Sequence, residues 1–184
     1  MKSPFAIFAG GLMLAFMASV AGAPGAYEYY RFKTGNFPRD RETVEIKSTI
    51  KFFGSTLAGF YSTGGSIAGL NIFPAEKMVK RRIFQDLRNW QDTGKLLVMD
   101  RDKSIVKQLQ FIAPDRVIAV TDEDWFSVYQ DYNTRRPVSG KKANLITVRY
   151  FMKKLWGKWI VVDYEVYIQG EPLPPIPVER LKKW

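Results

Sequence analysis

Apolar positions along the first half of the chain fall at helical spacing. Ile46, Ile50, Phe53, Leu57, Phe60 and Tyr61 lie on one face of a helix that Gly64-Gly65 should end. Gly54 and Gly59 interrupt that helix, weaken it by up to ~1 kcal/mol each in exposed contexts, and are expected to mark close packing against a sheet. Val79, Ile83, Leu87 and Trp90 form a second helical stripe behind Pro74, which suits a first helical turn, and Gly94 closes it. After Gly94 the period changes to two. Leu96–Met99 starts extended; Ile105, Leu109 and Phe111 mark a strand; Pro114-Asp115 turns it; and Val117–Tyr132 reads as its long partner. The loop Thr134–Ala143, with Arg135, Arg136, Lys141 and Lys142, leads to the clearest pattern in the chain. From Asn144 to Tyr167, Ile146, Val148, Tyr150 and Met152 alternate with polar residues, Leu155-Trp156-Gly157-Lys158 turns, and Ile160, Val162, Tyr164 and Val166 resume the alternation. That is an antiparallel hairpin with one buried face. Helices followed by a run of antiparallel strands predict an α+β fold, with helices packed on one face of a curved sheet.

The N-terminus is of a different kind. No charged residue occurs from Ser3 to Tyr27, and the apolar run from Pro4 to Ala23 approaches the ~20 residues that span a bilayer core. Lys2, the apolar centre and Ala21-Gly22-Ala23 resemble a secretory signal with an A-x-A end, although Pro24 sits awkwardly beside such a cut. Gly11, Ala15, Ser19 and Ala23 form a small-residue stripe that suits a retained anchor. Both fates stay open, with the folded part expected on the exocytoplasmic, periplasmic side or exported. The chain thus divides into a signal or transmembrane segment (1–26), a linker (27–41), an α+β domain (42–168) and an extended, Pro-rich basic tail (169–184).

Composition narrows the chemistry. With 15% aromatic and 46% apolar residues the chain can pack one core, and with no His and no Cys it lacks the usual neutral-pH base, the thiolate nucleophile and the commonest metal ligands. Phosphate-loop, Rossmann and metal-ligand patterns are absent, so no cofactor and no metal are expected. The net charge of +10 calls for an anionic neighbour. Arg31, Lys33, Arg39 and Arg41 follow the apolar segment, where each cation gains roughly 1 kcal/mol beside an anionic leaflet. An anionic lipid surface is therefore favoured over nucleic acid, although the second helix is also basic, with Lys77, Lys80, Arg81, Arg82 and Arg88.

Chemistry in the hollow would have to rest on a carboxylate whose pKa burial raises. If Ile160, Val162, Tyr164 and Val166 face the helices, then Asp163 and Glu165 point outward, with Arg149 and Glu123 on neighbouring strands. The same alternation assigns Trp125 and Tyr129, beside Glu123 and Asp131, and Trp159 and Tyr167 to an outer face rich in aromatics, as protein-binding surfaces are. The candidate partner-binding set is Trp125, Tyr129, Trp159, Tyr167, Arg81, Arg82 and Trp184, and no catalytic residue is assigned.

From Thr43 to Tyr167 the order of elements resembles the nuclear transport factor 2-like superfamily, and YFMKKLWGKWIVVDYEV is similar to the hairpin that closes many members. The resemblance implies a cone, a long helix and its companions held in a strongly bent antiparallel sheet. It also implies one of two uses: a pocket enzyme or ligand binder, or a non-catalytic domain on membrane-anchored or exported proteins. The N-terminal segment points to the second, an accessory or assembly subunit of an envelope membrane complex whose partners are its other subunits. The alternative is an isomerase- or dehydratase-like pocket enzyme or small-ligand carrier. A filled hollow would exclude the carrier, and an open apolar cavity with an inward carboxylate would support it.

Overall fold

The structure, a computed structural model, describes residues 26–183. Four helices come first: α1 (Ala26–Lys33), α2 (Arg39–Thr63), α3 (Ile67–Ile72) and α4 (Lys77–Asp92). Four strands follow, β1 (Lys95–Ala113), β2 (Arg116–Asp131), β3 (Lys142–Leu155) and β4 (Lys158–Ile168), and a short α5 (Val178–Lys183) ends the described chain. The strands form one antiparallel meander in the order β1-β2-β3-β4. Because α2 packs against both β1 and β4, the two edges of the sheet, the sheet must curl around the helix. Three register shifts in β1, between Arg101 and Lys103, Val106 and Gln108, and Phe111 and Ala113, supply the bend.

The helical stripe read from the sequence becomes the core. Ile46, Ile50 and Phe53 are buried on α2, and Phe53 meets the rings of Phe73, Tyr150 and Tyr164 edge-on at centroid distances of 5.6–5.8 Å. Gly64, in the left-handed region, caps α2, and the N–H of Gly65 donates to the Phe60 carbonyl. Val79, Ile83 and Leu87 are the buried face of α4. At the start of α2, Glu42 is buried and accepts from Lys154 Nζ at 2.7 and 2.8 Å and from Trp159 Nε1 at 2.7 Å. That carboxylate ties the first helical turn to the closing hairpin.

Three expectations change, and one lies outside the described residues. Residues 27–41, read as a linker, contain α1 and the first turn of α2, and Phe37 between them is buried against Phe111. Pro74 does not open α4: its carbonyl accepts from Val161 N–H, and Glu76 N–H donates to the Val161 carbonyl, so this stretch runs alongside β4 and covers a sheet edge that would otherwise stay unpaired. The tail 169–184 is extended only as far as Pro177 and then forms α5. Finally, residues 1–25, nearly all of the signal or transmembrane segment, and Trp184 lie outside the described residues. Among the described residues no helix is long and apolar enough to cross a membrane.

Candidate functional site

The curled sheet leaves a hollow of about 330 Å³ beside α2, open at the end where β1 and β3 begin and β2 and β4 finish. Its floor is Phe53, Leu57 and Tyr61 of α2, and its walls are mainly apolar, with Leu97, Met99, Ile146, Val148, Tyr164 and Val166. Val166, at the mouth, is 53% exposed.

Which side chains face inward differs from the alternation read along the chain. On β2 the odd-numbered residues line the hollow, so Glu123, Trp125, Ser127 and Tyr129 are on its wall, not on the outer face. β4 changes parity within itself. Phe151 pairs with Asp163 and Met152 with Val161, leaving Val162 as an extra residue. Before this bulge Trp159 and Val161 are in the core; after it Tyr164 and Val166 line the hollow. Trp159 is therefore a core residue pinned to Glu42, and only Tyr167 of the aromatic set remains on the outer face, donating to Glu165 at 2.7 Å. Asp163 and Glu165 do face outward, as expected.

Glu123 is the carboxylate that would have to act if the hollow were catalytic. It is fully buried, and both its oxygens are occupied. Oε1 accepts from Thr121 Oγ1 (2.9 Å), Tyr150 Oη (2.9 Å), Ser104 Oγ (3.3 Å) and Arg101 Nη1 (3.4 Å), and Oε2 accepts from Trp125 Nε1 (2.7 Å). Arg101 also donates to the Ile50 and Lys51 carbonyls of α2, so it bolts the carboxylate to the helix. Burial pushes the Tyr150 hydroxyl well above its ordinary pKa; the Glu123 charge adds to this and Arg101 opposes it. Tyr150 is thus held as a neutral donor. Tyr61 donates a short hydrogen bond to Asp86, and burial first, then that bond, raises its pKa. Glu123 thus meets five donors, four on Oε1 and one on Oε2, which tie β1, β2 and β3 together and, through Arg101, join them to α2.

Part of the outer face, on β3 and β4, is covered by the chain itself. Arg149 donates to Glu165 at 3.1 Å and to the Pro174 carbonyl at 2.7 Å. From α5, Arg180 bonds Asp163 and Glu165, and its guanidinium lies 4.1 Å from the centroid of the Phe151 ring. The tail is a strap over the sheet. On α4, Arg82 pairs with Asp163 at 3.1 Å and stacks on Tyr164 at 4.3 Å, while Arg81 stands exposed. The described candidate partner-binding residues therefore do not form one surface. They are divided among the hollow (Trp125, Tyr129), the core (Trp159), the strapped face (Tyr167) and α4 (Arg81, Arg82).

Arg101 and Asp86 belong to the site and were not singled out from the sequence, and Tyr61 was read only as part of the helical stripe. The available signal for Arg101 was Gly54, the helix-interior glycine read as marking close packing against a sheet. Among the described residues no three acidic side chains converge as a metal site.

No protein-family model matches the chain, and no curated protein matches it in sequence. Among solved structures, the intermembrane-space region of the chloroplast protein ARC6 superposes with a TM-score of 0.58 at 10% identity, over 67% of this chain and 95% of that one. At such identity the likeness is one of fold. An NTF2-like protein of unknown function from Prochlorococcus marinus (TM-score 0.33, 16% identity, 55% of this chain and 66% of that one) overlaps less well. So does a protein of unknown function with a cystatin-like fold from Nostoc punctiforme (0.31, 13%, 70% and 91%).

Proposed function

We propose that this chain is a nuclear transport factor 2-like domain that works without catalysis, as an accessory subunit of a membrane-associated envelope complex on the exocytoplasmic side. Its working site on this reading is the apolar hollow, which receives an apolar group presented by another subunit. The observation that carries the reading is the state of Glu123: this buried carboxylate of the hollow meets five donors from the surrounding strands, so on this reading it serves the architecture and the cavity serves binding. The fold shared with the intermembrane-space region of a chloroplast protein agrees with an extracytoplasmic setting.

A second reading is a carrier of a small apolar molecule. It is favoured by the volume of the hollow, about 330 Å³, which falls at the lower end of ligand-site sizes, and by the inward position of Glu123. One experiment separates the two. A photo-crosslinking residue replaces Val166 at the mouth of the hollow, in the full chain within its native membranes. The accessory reading expects an adduct with the mass of another membrane subunit. Native mass spectrometry that finds a bound small molecule, with no protein adduct, sinks it in favour of the carrier.

A further inference from the structure

At the end of the sheet away from the hollow's mouth, the turn between β3 and β4 presents Trp156, which is 97% exposed. Its backbone has φ +48° and that of Gly157 +76°, the paired positive values of a mirror-image two-residue hairpin turn. Such turns favour Asn or Asp at the first position, and a tryptophan there gives the fold neither burial nor backbone ease. Its placement has a use only outside the domain.

The surroundings of Trp156 identify that use. It shares a recess with Tyr29 and Arg31 of α1, with Arg41 of α2, and with Pro114 in the neighbouring β1–β2 turn. Tyr29 and Tyr30 are 52% and 62% exposed on α1, whose last turn carries Arg31 and Lys33. Lys158 is exposed beside Trp156, and Lys153 and Arg116 face each other across the same end of the sheet. Several carboxylates here are already held: Glu42 by Lys154, Glu45 by Arg41, Asp115 by Arg116. Exposed tryptophan and tyrosine interleaved with lysine and arginine are the composition of a headgroup-layer contact. The apolar run from Pro4 to Ala23 precedes Ala26, where α1 begins, and on the membrane-associated reading that run would lead into this face.

We infer that the turn end of the sheet, with Trp156 at its tip and Tyr29 beside it, docks on an anionic bilayer surface. The inference rests on the membrane-tethered reading above and adds an orientation: the hairpin tip meets the lipid, and the mouth of the hollow, at the opposite end of the strands, faces away toward a partner.

The test uses the full chain reconstituted into vesicles of phosphatidylcholine, with or without phosphatidylglycerol, whose acyl chains carry bromine near the headgroups. Emission from Trp156 is obtained as the difference between the native chain and Trp156→Phe, a change at an exposed site that leaves the circular dichroism intact. Trp156 should be quenched in the anionic vesicles and recover at high salt. Lys158→Gln should lower the docked-to-undocked ratio about fivefold, the share of one juxtamembrane cation. A chain that sediments with the vesicles while Trp156 stays unquenched overturns the docking face and leaves the tethered reading standing. Equal quenching in neutral vesicles, or shielding of Trp156 only when a second membrane protein is present, also overturns it. A chain that does not sediment at all overturns both.

Discussion

A Cβ on Gly54 would lie 2.1 Å from Cζ of Arg101, so a missing side chain in the middle of α2 is what admits the guanidinium. Arg101 is nearly buried there, between the α2 carbonyls and Glu123. Gly54→Ala should expel it and strand the carboxylate, lowering stability by about 3 kcal/mol, as breaking a buried pair does. Gly59, five residues on, has nothing within 4 Å of its Cβ position, so Gly59→Ala should raise stability by up to ~1 kcal/mol through helix propensity. Urea denaturation of the two variants tests the contrast. Equal effects would remove the role given to Arg101.

Tyr150 supplies a pH dependence of definite sign. Its folded pKa lies above the ordinary value of 10.0 because of burial first and Glu123 second. Below that value both folded and unfolded chains keep the proton, and the stabilisation is complete. As pH rises past it, the unfolded chain releases a proton that the folded chain retains, so stability falls. Tyr150→Phe should cost roughly 1–2 kcal/mol at neutral pH by removing a donor from Glu123, and should flatten the loss on the alkaline side. An unchanged slope of urea midpoint against pH, measured up to about pH 11, would refute this assignment.

The hairpin tip should be easy to improve as a fold element. A bulky residue in the left-handed region costs on the order of 1 kcal/mol, and asparagine occupies it readily. Trp156→Asn is expected to raise the thermal midpoint, with a gain of about 0.5–1 kcal/mol, while abolishing the contact with anionic vesicles. A destabilised variant would mean that Trp156 serves the fold.

The strap contributes little by charge alone. The Arg180 side chain is 31% exposed and its partners Asp163 and Glu165 are 36% and 24% exposed, so solvent screens the pairs. Arg180→Ala should cost no more than about 1 kcal/mol, and the difference should shrink as salt rises. Removing residues 170–184 should cost more, because Phe151 and Arg149, both buried under the strap, would lose their cover. Amide exchange along β3 and β4 would report it.

Much of the scaffold was readable from periodicity. The stripe from Ile46 to Tyr61 is the face that α2 buries, and the hairpin from Asn144 to Tyr167 forms with the inward alternation expected on β3 and, past its bulge, on β4. The candidate site was readable only in part. Glu123 and Trp125 were assigned to the wrong side of the sheet because β2 is apolar at both parities around Val117–Val120, so alternation does not reveal which face is inward. Trp159 was misplaced for a different reason: a single extra residue at Val162 inverts every assignment before it, and nothing local to the residue announces a bulge.

Along the chain, side-chain spacing alone sets where helix gives way to strand, where the closing turn falls, and that histidine and cysteine chemistry is excluded; these follow from each residue and its near neighbours. Long-range pairing decides the rest. Bulges reset the inward parity, Arg101 reaches Glu123 through the gap at Gly54, and the tail folds back over the outer face, so a row expected to meet a partner is in part the wall of the hollow. Each of these depends on residues far apart in sequence meeting around one curved sheet, and a hydrophobic period carries no record of such meetings.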